Sequence, residues 1–195
     1  MAYFPLFVSM EGRHCLVVGG GKVALRKVRT LLEYGADLTL VAPKLHEELE
    51  TMGRQGVIKI RKREFRKEDL EEISIVFAAS SCEEVNLYCA RLCREQGILV
   101  NVADVPRECD FYFPALVRRG DLVVGISTGG KSPAAAGRLR RELENYLPME
   151  LEDFIVKAGH LREEAILKGE KPEENQAYQK LLNQFFDFMY EGENR

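Results

Sequence analysis

Long apolar runs are absent from this 195-residue chain. No stretch approaches the roughly 18 consecutive apolar residues that a bilayer-spanning helix needs, which excludes a membrane helix. The opening Met-Ala-Tyr-Phe-Pro-Leu-Phe-Val has neither the basic segment nor the cleavage site of a secretory signal, so a cytoplasmic protein is expected. A strong charge of one sign is missing too. The 28 Lys and Arg against 31 Asp and Glu leave a net charge of −3, which argues against a protein that binds nucleic acid by neutralising phosphates. Histidine is scarce: His14, His46 and His160 are scattered and do not make a preformed metal cage. No metal-ligating residues are therefore assigned, and any metal is expected as a substrate. Five cysteines, an odd number without regular spacing, are a poor disulfide framework. Cys89 and Cys93 stand four apart on an expected helix. Either they offer two thiolates to a metal or they are small hydrophobes on a packed face, and the second is preferred because no His or Cys completes a set nearby.

What is present is a globular composition, 46% hydrophobic and 30% charged, with length for one domain and a smaller appendage. Residues 16–24 read Leu-Val-Val-Gly-Gly-Gly-Lys-Val-Ala, a strand-like run that breaks into glycines and then into helix formers. Gly19-x-Gly21-x-x-Ala24 is a dinucleotide-binding fingerprint in strand–turn–helix context. Gly19 permits a tight turn, Gly21 lets the backbone approach a pyrophosphate, and small Ala24 lets helix and strand pack closely. The helix N-terminus offers N–H groups and partial positive charge to the phosphates. Val23, Val28, Leu31 and Leu32 are expected near one face of that helix.

Strand and helix signals alternate over the first 113 or so residues: strand 15–18, helix 22–34, strand 37–41, helix 44–55, strand 57–63, strand 73–79, helix 82–96, strand 98–102. Such alternation predicts a parallel sheet. Phe111-Tyr112-Phe113-Pro114 breaks the rhythm; a strand is expected over 121–127 and a helix over 134–147, with Pro just inside its start. From 149 onward the chain reads as helical, and this tail is too short to hold its own core, so it should pack on the first domain or on a second subunit.

Three constellations carry chemistry. A carboxylate about 20 residues past the glycines ordinarily binds the adenosine ribose, but that place holds Val41-Ala42-Pro43-Lys44. Either backbone around Pro43 and Lys44 holds the ribose or the nucleotide is not NAD; the first is favoured, and Lys44 leaves a 2′-phosphate conceivable. Asp104 lies just past the fifth strand, in the crevice where parallel sheets bind ligands. It reads equally as a general acid/base or as a turn cap. The loop Ser127-Thr128-Gly-Gly-Lys131-Ser132-Pro133 opens a helix that continues with Arg138, Arg140 and Arg141. The Walker spacing is absent; the loop suits carboxylates or phosphates, or is simply a loop before a solvated helix face. The basic run Lys59–Lys67 reads as an edge-strand surface.

Taken together, Phe4–Phe7, Leu16–Ala24 with Arg26-Lys27, Val41–Pro43, Ala78–Ser80, Asn101-Val102-x-Asp104, Phe111-Tyr112-x-Pro114-Ala115 and Ile126–Pro133 with Arg138 resemble the precorrin-2 dehydrogenase/sirohydrochlorin ferrochelatase family, over about residues 3–147. The resemblance implies NAD-dependent oxidation of precorrin-2 to sirohydrochlorin, followed in some members by Fe²⁺ insertion to give sirohaem. It implies catalysis by Asp104 and NAD contacts at Gly21, Lys22, Val23, Pro43 and Lys44, beside the turn glycine Gly19. The tetrapyrrole's eight carboxylates then suit Ser127, Thr128, Lys131, Ser132, Arg119, Arg138 and Arg141. One family position that is a modifiable serine in some members is Thr128 here. The resemblance further implies a homodimer and an α/β architecture: a Rossmann-type parallel-sheet domain over 1–113, a small α+β dimerisation segment over 114–148, and a helical tail over 149–195 contributing to the tetrapyrrole cleft. A dehydrogenase-only member and a non-catalytic NAD-sensing Rossmann module are the alternatives; the ordered match from Asn101 to Pro133 favours an enzyme over the sensor.

Overall fold

Apolar residues on alternate positions of four short strands build a sheet covered on both faces. The structure, a computed structural model, describes residues 3–192. The chain divides into two compact units, Met1–Phe113 and Pro114–Arg195.

In the first unit, β1 (His14–Val18), β2 (Asp37–Val41), β3 (Lys59–Arg61), β4 (Ile75–Ala78) and β5 (Leu99–Val102) form one parallel sheet in the order β3-β2-β1-β4-β5. Helices α1 (Lys22–Glu33), α2 (Glu47–Arg54) and α3 (Glu83–Gln96) connect them. Successive strand residues point to opposite faces. Cys15, Val17, Leu38, Leu40 and Phe77 therefore pack with Ala24, Val28 and Leu31 of α1 and Leu49 of α2. Leu16, Val18, Val76, Val100 and Val102 pack with Cys89, Ala90, Leu92 and Cys93 of α3 on the other face. The two thiols Cys89 and Cys93 are thus part of a core face, fully buried and hydrogen-bonded to one another.

Three local expectations need correction in this unit. Val23 is not on the buried face of α1; it is 38% exposed, and Lys27 takes a buried place on the stripe of Ala24, Val28 and Leu31. Helix α2 begins at Glu47 rather than Lys44, because His46 in extended conformation caps it, Nδ1 accepting from the Glu48 N–H. The expected strand 57–63 shortens to β3, the sheet's edge; its basic residues and Arg63 just beyond it meet acids, Lys59 Nζ bonding Asp37, and Arg61 and Arg63 bonding Asp69.

The second unit opens with an antiparallel hairpin of β6 (Ala115–Arg119) and β7 (Leu122–Ile126), followed by α4 (Pro133–Tyr146), α5 (Leu151–Leu167) and α6 (Gln176–Gly192). Strand β6 lies directly after the aromatic run and was not expected. Within this unit α5 packs on α6 and on β7, burying Leu151, Phe154, Ala158 and Ala165. Phe154 stacks on Phe185 with ring centroids 4.0 Å apart. Among the described residues no helix is long and apolar enough to cross a membrane.

Candidate active site

The carboxyl ends of β1, β4 and β5 continue the sheet's hydrogen-bond ladder one residue further, through Gly19 N–H to Val41 O (2.9 Å), Ala79 N–H to Val18 O (2.7 Å) and Ala103 N–H to Ala78 O (2.8 Å). The glycine turn after β1 and Asp104 after β5 therefore share one edge of the sheet, two strands or about 10 Å apart. At that edge Gly19 has φ +127°, and a Cβ there would lie 2.3 Å from Ala79 O. Gly20, outside the fingerprint, is equally fixed: a Cβ would lie 2.1 Å from Lys44 O, and Gly20 O accepts from the His46 N–H at 2.7 Å. This bond draws the exposed Pro43–Lys44 loop onto the glycine turn. At Gly21, the residue before α1, a Cβ would meet nothing within 4 Å, and no side chain caps the helix. The first-turn N–H groups, Lys22 and Val23 among them, have no partner within the helix. The chain has left there an open, positively polarised place fit for a pyrophosphate. On the β4 side, Asn86 is buried and clamps Ser80, donating to its carbonyl and accepting from its N–H, both at 2.9 Å.

Asp104 is exposed and sits at φ +60°, a left-handed conformation that Asp tolerates better than most residues. The loop carrying it is tied at both limbs. Val100 N–H donates to Asp110 Oδ2 (2.9 Å), Val102 N–H donates to Cys109 Sγ (3.1 Å), and Asn101 Nδ2 donates to Phe111 O (2.9 Å). Asn101 Oδ1 accepts from Lys27 Nζ at 2.7 Å. The Lys27 ammonium is buried over the rings of Phe113 (4.4 Å) and Phe77 (5.5 Å). Burial and neighbouring Arg26 push it down to about 8, against the pull of Cys109 and Asp104.

The second unit holds the remaining predicted residues. Its loop is preorganised by its own hydroxyls: Ser127 Oγ accepts from Gly129 N–H, Thr128 Oγ1 from Ser132 N–H (3.0 Å), and Ser132 Oγ caps α4 by accepting from Ala135 N–H. Lys131 and Arg141 are exposed, and Arg138 pairs with Glu142. Arg119 is committed elsewhere. Its guanidinium donates to the carbonyls of Leu147, Glu144 and Arg118, closing the C-terminal end of α4.

Residues 6–115 match the family described as "Putative NAD(P)-binding". The chain belongs to that family. Its first unit is an NAD(P)-binding domain, and residues 119–146 match the family described as "Sirohaem biosynthesis protein central". This pairing is that of the N-terminal module of sirohaem synthases. The chain is 43% identical over 148 residues to the siroheme synthases of Nitrosococcus oceani and Pseudomonas aeruginosa, covering 76% of this chain and 32% of each relative. Against the siroheme synthase of Methylococcus capsulatus it is 38% identical over 163 residues, 84% of this chain and 34% of that protein. It therefore spans about a third of the length of the curated relatives it matches. Among solved structures it resembles SirC, precorrin-2 dehydrogenase, with a TM-score of 0.69 and 27% identity, over 82% of this chain and 79% of that one.

Three further residues shape this end of the sheet through their own bonds, Gly20, Asn86 and Lys27. Gly20 had a signal in the sequence, being the middle of three glycines. Lys27 had one as well, a lysine on an otherwise apolar helical stripe. Asn86 had none, because its partner loop is defined only by the fold. Among the described residues no group of three or more His, Cys, Asp or Glu is placed to hold a metal ion.

Proposed function

We propose that this protein oxidises precorrin-2 to sirohydrochlorin with NAD as hydride acceptor, Asp104 taking the proton. The observation that carries the reading is Asp104 held on the edge of the sheet that also bears the glycine turn, in a chain similar over most of its length to SirC, precorrin-2 dehydrogenase. The N–H groups at the start of α1, with Gly19 and Gly21, bind the pyrophosphate. The backbone of Pro43 and Lys44, drawn in by the His46–Gly20 bond, holds the ribose that elsewhere in such folds pairs with an acid. When bound, the nicotinamide accepts the hydride. Loss of hydride from the macrocycle must be matched by loss of a proton, and the Asp104 carboxylate is the base placed for it. In the second unit, Lys131, Arg138 and Arg141, with the hydroxyls of Ser127, Thr128 and Ser132, are of a chemistry that suits carboxylates. Arg119, engaged on α4, is given no such task. Homodimerisation through the 114–148 segment belongs to the same reading and is supported by α4, which buries Ala136 while Leu139 is half exposed.

The test is an anaerobic spectroscopic assay with enzymatically generated precorrin-2 and NAD. Sirohydrochlorin with matching NADH is expected from the native chain. Asp104→Asn keeps a residue that accepts left-handed φ, so folding and NADH binding stay while turnover falls by about 10²- to 10⁴-fold. No oxidation by the native chain overturns the activity, and normal turnover by Asp104→Asn removes Asp104 from the mechanism. Adding Fe²⁺ to the same reaction asks whether sirohaem forms faster than without protein, and light scattering gives the subunit count.

A further inference from the structure

Lys27 is the one buried cation among the described residues, and the reaction as derived makes no use of it. Taking an ammonium out of water is costly unless it is well paired. Here the partners are an amide oxygen and two ring faces, not a carboxylate. An apolar side chain on the same stripe of α1 would pack without that cost.

What the ammonium does is decide which way Asn101 faces. An amide oxygen accepts and an amide nitrogen donates. With the ammonium, which only donates, at Oδ1, the Asn101 nitrogen is left to reach Phe111 O and to approach Cys109 Sγ at 3.6 Å. The Cys109 sulfur accepts from Val102 N–H and donates to Val102 O. Asp110 closes the loop on Val100 from both its backbone N–H and its carboxylate. The returning limb of the loop is thus fastened to β5, with Asp104 near its apex in a left-handed conformation. Such conformations persist where the surroundings over-determine them.

We propose that Lys27 is a positioning residue: its ammonium sets the Asn101 amide so that the tied loop 102–111 keeps Asp104 in place on the sheet edge. The proposal rests on Asp104 being the base. Burial pushes the ammonium down to about 8, so it still carries its proton and donates at neutral pH.

The experiment compares the full-length native chain with Lys27→Met, Asn101→Leu and the double variant. Four quantities are measured: thermal stability, NADH binding by fluorescence titration, kcat and KM for precorrin-2 oxidation, and amide hydrogen exchange over residues 103–105. Each single variant strands a buried polar partner and loses stability. The double variant no longer strands the ammonium but leaves Phe111 O without the Asn101 amide, so it regains part of that stability. If Lys27 served stability alone, Lys27→Met would keep native kcat at temperatures where it is folded, and only the added Asn101→Leu would lower it. A positioning role lowers kcat in folded Lys27→Met about 10- to 100-fold with NADH affinity unchanged, and makes exchange at 103–105 faster than in the native chain. Native kcat together with native exchange in folded Lys27→Met overturns the proposal. Should the native chain fail to oxidise precorrin-2, the proposed activity falls, and exchange alone then decides whether Lys27 holds the loop. Should Lys27→Met fail to fold, Asn101→Leu carries the test, native kcat together with native exchange there overturning the proposal.

Discussion

Two neighbouring glycines answer to different constraints, and alanine at each separates them. At Gly20 the added methyl lies 2.1 Å from Lys44 O, 2.9 Å from Leu45 Cδ2 and 3.1 Å from Ala42 Cβ. Contact with a heavy atom is comfortable at about 3.5 Å, so the Lys44 backbone must retreat by about 1.4 Å. That movement opposes the 2.7 Å bond from His46 N–H to Gly20 O. Overpacking of this kind costs about 1–3 kcal/mol, and a lost hydrogen bond adds about 1 kcal/mol. Gly21 is the opposite case. Its φ of −91° and ψ of −169° are extended backbone that alanine adopts freely, and the methyl meets nothing within 4 Å. Gly21→Ala should therefore be as stable as the native chain, or more stable by about 0.4–1 kcal/mol through the unfolded state. Its methyl stands in the space offered to the pyrophosphate. Losing one charge-assisted hydrogen bond, about 1.5–3 kcal/mol, weakens NADH by about 10- to 100-fold. Urea unfolding and NADH fluorescence titration on both variants give the two readings. Native NADH affinity in Gly21→Ala, or native stability in Gly20→Ala, refutes the geometry assigned to the turn.

Acid should expose a second device. Asp69 is enclosed, accepting from Arg61 (2.5 Å), from two nitrogens of Arg63 (2.6 and 2.7 Å) and from the Arg66 N–H (2.8 Å). Burial pushes its carboxyl up, but the Arg63 and Arg61 bonds and the Arg66 N–H outweigh that and hold it at about 2, below the ordinary 3.8. A depressed value contributes stability above 3.8 that is lost as pH falls through 2. The loss is about 2 kcal/mol, less in salt because both arginines are partly exposed. Asp69→Asn should flatten this part of the urea-stability profile, and an unchanged profile would refute the assignment. In the second unit, Phe154→Ala removes the ring stacked on Phe185 and should cost about 3–5 kcal/mol there. Hydrogen exchange in α5 and α6 should rise with NADH affinity unaltered; unaffected exchange would deny Phe154 its place in that packing.

The first unit was legible because its signals are local. The run Leu16–Val18 changes period at three glycines, and Gly35 and Gly97 stop helices in the left-handed conformation that glycine takes most easily. Strand β6 was not legible, because an aromatic run followed by proline resembles a break, and its partner β7 is what makes Ala115–Arg119 a strand. The start of α2 was misplaced since the pull of Gly20 on His46 is a tertiary effect. Asp104 could be placed from its position after a strand, whereas its left-handed backbone and tied loop depend on Cys109, Asp110 and Phe111 folding back. Lys27 shows the same limit. Its charge can be read in the chain, but its amide partner lies 74 residues away.

The return of residues 109–111 along β5 also bears on how this protein behaves in a crowded solution. An outermost strand with the apolar sequence Leu-Val-Asn-Val is a template on which another chain can add a strand. Here the Val100 and Val102 amides are already taken by Asp110 and Cys109, and the opposite border carries Lys59 and Arg61. One border is capped by the chain's own side chains and the other is guarded by charge, so the sheet resists growth by strand addition from either end.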